Sequence, residues 1–227
     1  MHLRQLGPVV LLIVSITIAV GQASLLDVAR DGTPEAVRVA LAAGADLEAR
    51  GSLGWTPLMR AGRFNENPEV VHVLLSAGAN LEARSESGWT PLMFAARGNT
   101  NPGVVGVLLA AGANLEARDL LGETSLMFAA GSTANADVVR ALLVGGANLE
   151  ARSESGWTPL MFAARGNTNP EVVRVLLVAG ANAAIQDAFG KRALDYAEGN
   201  PALRDSAVYW LLNDASFQYG RATFEPA

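Results

Sequence analysis

GANLEARSESGWTPLMFAARGNTNP runs from Gly78 to Pro102 and is repeated without change from Gly146 to Pro170. An identical stretch of that length means internal duplication, and self-similarity at a fixed period decides the architecture before any single element is read. Working outward from it, Gly54, Gly88, Gly122, Gly156 and Gly190 stand 34 residues apart. Gly44, Gly78, Gly112, Gly146 and Gly180 keep the same spacing. Two landmarks per period hold the register, and the identical stretches lie two periods apart, as duplication of a two-repeat block would leave them.

One period can be read chemically. Thr90 and Pro91 open the segment LMFAA. Threonine caps free backbone N–H groups, and proline takes the first helical position, where its missing donor costs nothing. GNT interrupts this short helix, and Asn101 with Pro102 repeats the cap-and-proline start before VVGVLLA, a run apolar nearly all round and therefore more deeply buried. Gly112 ends it, as suits a residue that adopts the left-handed conformation after a helix. ANLEARDLLG then carries turn residues and no helical stripe, which predicts an extended finger joining one helix pair to the next.

GWTPLMFAA and EVVRVLLVAGAN, as they stand between Gly156 and Asn182, resemble the ankyrin repeat family in its pattern of TPL, AA, VV-x-LL and AGA[DN]. The resemblance covers about Ser24 to Ser216. It implies an all-α fold, an ankyrin-repeat solenoid of about six stacked helix pairs with finger loops. The chain departs from the family in two ways. The period is one residue longer than the family's usual one, with the extra residue placed in the inter-helix loop around Gly98 and Gly166. Met59, Met93 and Met161 stand where the family often has histidine after TPL, so packing is expected to replace a polar link. The expected organisation is repeats at about 24–53, 54–87, 88–121, 122–155 and 156–189, a cap at 190–219 and a tail at 220–227. The first unit lacks TPL and carries Asp27, Arg30 and Asp31, and the last swaps its opening for GKRALDYA. Both read as end caps, which a stack of mutually dependent units needs. The count gives six helix pairs and four interior fingers.

Residues 1–23 read as a signal peptide. Arg4 lies in a short basic start, Val9 to Val20 is almost wholly apolar, and Gly21, Gln22 and Ala23 follow, with cleavage expected after Ala23. The apolar run falls short of the roughly 20 residues of a membrane-spanning helix. Export to a bacterial periplasm or exterior is the expectation. An uncleaved anchor is the alternative, and it is the one route by which a membrane would be involved.

Composition narrows the chemistry. Of 227 residues half are hydrophobic and 17% charged, enough for a packed core. There is no cysteine, which excludes disulfide frameworks, thiolate metal sites and thiol nucleophiles. A net charge of -5 gives no diffuse basic surface for nucleic acid. Beyond the leader the single histidine is His72, within a second helix, where a surface or packing role is expected. No nucleophile elbow, S-x-x-K pair or phosphate-binding glycine loop is present, so no catalytic residue, cofactor or metal ligand is assigned. Glu48, Glu82, Glu116 and Glu150 each precede an arginine by two residues, at Arg50, Arg84, Arg118 and Arg152, which predicts an exposed ion-pair ladder. Met59, Met93, Met127 and Met161 recur at helical depth and read as core fillers.

Equivalent positions give the candidate binding residues. After the finger glycine come Trp55, Trp89, Glu123, Trp157 and Lys191, and a parallel row at the end of the first helix holds Arg63, Arg97, Gly131 and Arg165. Tryptophan and arginine are enriched at binding hot spots. At the finger tips Glu86 and Glu154 alternate with the apolar Leu120 and Leu121, with Leu53 and Phe189 also apolar. Exposed apolar tips often mark protein contacts. The competing readings are that each indole packs on the adjacent repeat and that the tips pack on one another. In the family the finger side faces the groove used for partners, so the resemblance implies a monomeric, non-catalytic protein-binding scaffold, with inhibition or regulation of an exported enzyme as its concrete form. The alternatives are a periplasmic oxidative-stress or enzymatic protein and a membrane-anchored envelope scaffold.

Overall fold

The computed structural model describes residues 24–132, 134–204 and 206–221, with side chains described as far as residue 216. The leader proposed at 1–23 lies outside the described residues, as does the tail beyond 221.

Each repeat begins where its sequence places a cap. Helices α1 (Leu25–Asp31), α3 (Pro57–Phe64), α5 (Pro91–Gly98), α7 (Ser125–Ser132), α9 (Pro159–Gly166) and α11 (Ala193–Ala197) form one layer. Helices α2 (Pro34–Ala42), α4 (Pro68–Ser76), α6 (Pro102–Ala110), α8 (Ala136–Val144) and α10 (Pro170–Val178) form the second, completed by α12 (Pro201–Arg204) and α13 (Ala207–Arg221). Thr56, Thr90 and Thr158 accept from the backbone N–H three residues on, and Asn67, Asn101 and Asn169 do the same two residues on. The helices are far too short to persist alone, so their stability comes from stacking.

The two layers pack differently because their side chains differ. First helices meet through small residues: Ala95 and Ala96, Ala129 and Ala130, Ala163 and Ala164 are all fully buried. A Cβ on Gly62 would stand 3.1 Å from the Pro91 carbonyl oxygen of the next repeat, so glycine sets that approach. Second helices meet through Val70, Val71, Leu74 and their equivalents, all inaccessible. Together they build one continuous core from Leu25 to Leu212.

Where the family's histidine is replaced by methionine, the polar link survives in weaker form, contrary to expectation. Met59, Met93, Met127 and Met161 are buried, and each thioether Sδ lies 3.4 Å from the backbone N–H of the threonine three residues before it. Sulfur is a weak acceptor, but it satisfies a donor that would otherwise be stranded in the core.

Among the described residues there are five fingers, one more than the repeat count predicted, since the loop entering the last unit keeps the same geometry: Gly180 and Gly190 have φ of 97° and 75°. Helices α2, α4, α6, α8 and α10 each end on a Schellman pair, as when Ala79 N–H donates to Leu74 O and Gly78 N–H to Leu75 O. No strand is formed among the described residues; the fingers are turns, the first with a short 3-10 segment at Ser52–Gly54. Their tips are nevertheless joined, Glu86 N–H to Leu53 O, Leu120 N–H to Ser87 O, Glu154 N–H to Leu121 O and Ala188 N–H to Ser155 O.

The predicted ion-pair ladder is absent among the described residues, and the same side chains hold backbone instead. Glu48, Glu82, Glu116 and Glu150 accept from the backbone N–H of Asn80, Asn114, Asn148 and Asn182, each in the following repeat. Arg50, Arg84 and Arg118 each donate to a carbonyl of their own finger and to the carbonyl 34 residues on, and Arg152 to Gln186 O. The few backbone bonds of the fingers leave carbonyls and N–H groups over, and charged groups satisfy these better than they satisfy each other in water. A second seam runs through the inter-helix loops: buried Asn65, Asn99, Asn167 and Asn200 each donate Nδ2 to carbonyls of the preceding repeat.

Candidate functional site

The finger bases and the ends of the first helices bring the two predicted rows together. Each arginine of the row lies over the indole of its own repeat: Arg97 Cζ is 4.8 Å from the Trp89 ring centroid, Arg165 is 4.9 Å from Trp157, and Arg63 is 5.9 Å from Trp55 and 5.2 Å from Phe64. In the last repeat Lys191 lies 5.5 Å over Tyr196. A desolvated cation over an aromatic face is worth up to about 2 kcal/mol, and less where exposed.

Of the two sequence readings of the indoles, packing on the adjacent repeat is what the geometry shows. Trp55, Trp89 and Trp157 are half-buried. They pack into a zigzag column with the next repeat, Trp55 on Phe94 at 4.4 Å, Trp89 on Phe128 at 4.3 Å and Trp157 on Tyr196 at 4.5 Å between centroids. Trp89 Nε1 donates to Asp119 Oδ2 of the next finger at 3.0 Å. The equivalent Asp187 accepts from the Tyr196 hydroxyl. Burial pushes Asp187 up, but the hydrogen bonds from Tyr196 and from the backbone of Lys191 and Phe189 outweigh it and leave the carboxyl below its ordinary value. Burial, then the bond to Asp187, pushes Tyr196 up to about 12.

What remains open is the cationic edge. Arg63 is half-buried and held below its ordinary value by burial and by Arg97, while Arg97 and Arg165 are exposed. Among the described residues none of the three makes an ion pair or hydrogen bond. Among the other described side chains, Arg38, Arg140 and Arg174 meet glutamates, Arg30 and Arg60 meet aspartates, and Arg84 and Arg118 meet carbonyls. Three guanidiniums with spare donors therefore lie along one face.

The fourth repeat interrupts both rows, and a cleft of about 350 Å³ opens there, lined by Arg97, Glu123, Phe128, Gly131, Phe162 and Arg165 among others. Burial first, then Asp119, raises Glu123 above the ordinary carboxylate value, against the pull of Arg97. A smaller cleft of about 290 Å³ lies at the first finger, where Leu53 has a left-handed φ of 63° beside Trp55 and Phe64.

At the finger tips Glu86 and Glu154 are exposed, and Leu120 and Leu121 are 68% and 59% exposed. Their backbones are tied to neighbouring fingers while their side chains project. His72 is exposed on α4, its Nδ1 3.8 Å from Glu69. Sequence reasoning missed the phenylalanine column and the asparagine seam. The first was visible as Phe94, Phe128, Phe162 and Tyr196 at the repeat spacing.

Stacked helix pairs joined by fingers, presenting one aromatic and cationic face, define a repeat solenoid with a single extended surface. The chain belongs to the ankyrin repeat family: the family described as Ankyrin repeats (3 copies) matches residues 25–119 and again 126–220. No curated protein matches the chain.

Proposed function

We propose that the protein is a non-catalytic scaffold that binds a protein partner on its finger face, through Arg63, Arg97 and Arg165, the indole edges of Trp55, Trp89 and Trp157, and the tips at Glu86, Leu120, Leu121 and Glu154. The observation that carries this reading is the row of three guanidiniums, each set on an aromatic ring and each without an acceptor among the described residues. Arginine so placed is pre-organised for carboxylates and is a frequent anchor of interfaces. Membership of the ankyrin repeat family supports a protein as the partner. The partner is one with acidic groups near an apolar anchor, and an exported enzyme that the scaffold inhibits or regulates is the concrete form.

The test is substitution of Arg63, Arg97 and Arg165 together by alanine. Capture of the partner, identified by cross-linking in the native compartment and mass spectrometry, should fall at least tenfold while the unfolding midpoint stays within a few degrees. Undiminished capture would remove this face from the interaction. The indoles are the poorer target, because they also join neighbouring repeats.

Export is part of the proposal and rests on residues 1–23. Mass spectrometry of the protein recovered from cell fractions should show a chain starting near Ser24. A retained leader would favour the anchored scaffold; among the described residues no helix is long and apolar enough to cross a membrane.

A further inference from the structure

The aromatic column is interrupted between Phe128 and Phe162. Phe94 takes the Trp55 indole of the preceding repeat on one side and its own Trp89 on the other, at 4.4 Å and 5.1 Å. Phe128 takes Trp89 at 4.3 Å. Phe162 has its own Trp157 at 5.2 Å, but the position that would send it the preceding indole is Glu123. The consequence is measurable: Phe94 and Phe128 are 1% and 6% exposed, whereas Phe162 is only half-buried. The arginine that would close over that indole is also replaced, by Gly131. The cleft is thus the space of one repeat's tryptophan and arginine, open to solvent.

We propose that this cleft receives an aromatic side chain of the partner protein, which completes the column from outside, with a carboxylate beside that ring held by Arg97 or Arg165. The proposal rests on the protein-binding reading above. The walls favour a ring over an aliphatic chain, because Phe128 and Phe162 offer the tilted or edge-on aromatic contacts made along the rest of the column. The charges place the ligand's acid: Arg97 and Arg165, without acceptors among the described residues, both line the cleft, and Glu123 in the same lining repels a second carboxylate toward them. Among the lining residues two arginines face one acid, and Asp119 lies near that acid, so the positive charge sits at the arginines, which disfavours a basic side chain beside them.

The probe is N-acetyltryptophan, which carries an indole and a carboxylate, titrated into the full chain and followed by amide resonances. Saturable shifts at Gly131, Ser132 and Phe162 are expected at millimolar concentration, with N-acetyltryptophanamide about tenfold weaker, as loss of a charge-assisted hydrogen bond predicts, and N-acetylleucine weaker still. The double variant Glu123→Trp with Gly131→Arg gives the fourth repeat the pattern of the third and fifth. A Cβ at Gly131 meets Phe162 no closer than 3.5 Å, so the fold accommodates it. This variant should lose the shifts while keeping its helix signal. Absent shifts in the parent chain, unchanged shifts in the double variant, or equal binding of the leucine derivative would each overturn the proposal. So would the same shifts on concentrating the protein alone, if they were abolished by Trp210→Ala, which removes the exposed indole of α13, because a second copy would then be the occupant. If the double variant still captures the partner fully while the triple arginine variant does not, the binding face stands and the cleft falls. If both capture it fully, the face itself is refuted.

Discussion

At the scale of single residues, the rows of tryptophan and arginine were legible because a period converts sequence position into surface position. The asparagines, and the glutamates and arginines of the fingers, were not, because their partners are backbone carbonyls and N–H groups of the next repeat, which have no signature in a side-chain pattern. Asn99 shows the stake: its Nδ2 donates to Gly62 O and Asn65 O at 2.9 Å each, inside the stack. Alanine there leaves both carbonyls without that donor, and chemical denaturation should show a loss of about 1–3 kcal/mol. Glu123 makes the opposite case. Its carboxyl takes up a proton more readily in the folded chain than in the unfolded one. The folded state is therefore favoured below the ordinary carboxylate range and loses that advantage as pH rises through the raised value. Glu123→Gln should accordingly raise the unfolding midpoint at neutral pH, and the gain should vanish in acid, where both side chains are uncharged.

At the scale of elements, the cap-and-proline starts were readable residue by residue, and α3, α5 and α9 begin at Pro57, Pro91 and Pro159 as the pattern requires. Between the two end caps the exception is α7, which opens on Thr124 and Ser125. Both hydroxyl oxygens are buried there without a hydrogen-bond partner. Ser125→Pro restores the pattern of the other repeats, removes one stranded hydroxyl and fixes a φ suited to the first helical position. It should stabilise by about 0.4–1 kcal/mol in thermal or denaturant unfolding. The second helices carry the opposite sensitivity: Leu176 on α10 is fully buried, and alanine in its place should cost about 2–5 kcal/mol by the same measurement. The thioether contact at the start of each first helix could not be anticipated, since methionine reads as an apolar filler and only the geometry shows its sulfur turned to a backbone donor.

At the scale of the whole molecule, stability is roughly a sum of units and the joints between them, and a helix pair such as α5 and α6 has no core of its own. A peptide of residues 88–121 should show little helical circular dichroism in water, whereas the full chain should unfold in one cooperative step; a rigid isolated pair would contradict the stacked architecture. The solenoid was legible from its period, and its sequence-identical blocks fold alike. The cleft was less so, because it arises from two substitutions, at Glu123 and Gly131, whose combined effect depends on the neighbouring phenylalanines. The carbonyl clasps of Arg50, Arg84 and Arg118 are the same from one seam to the next. Such interchangeable couplings let a copying slip insert or delete whole modules without creating an ill-fitting boundary, so lineages can lengthen or shorten the molecule readily while its two terminal units stay indispensable.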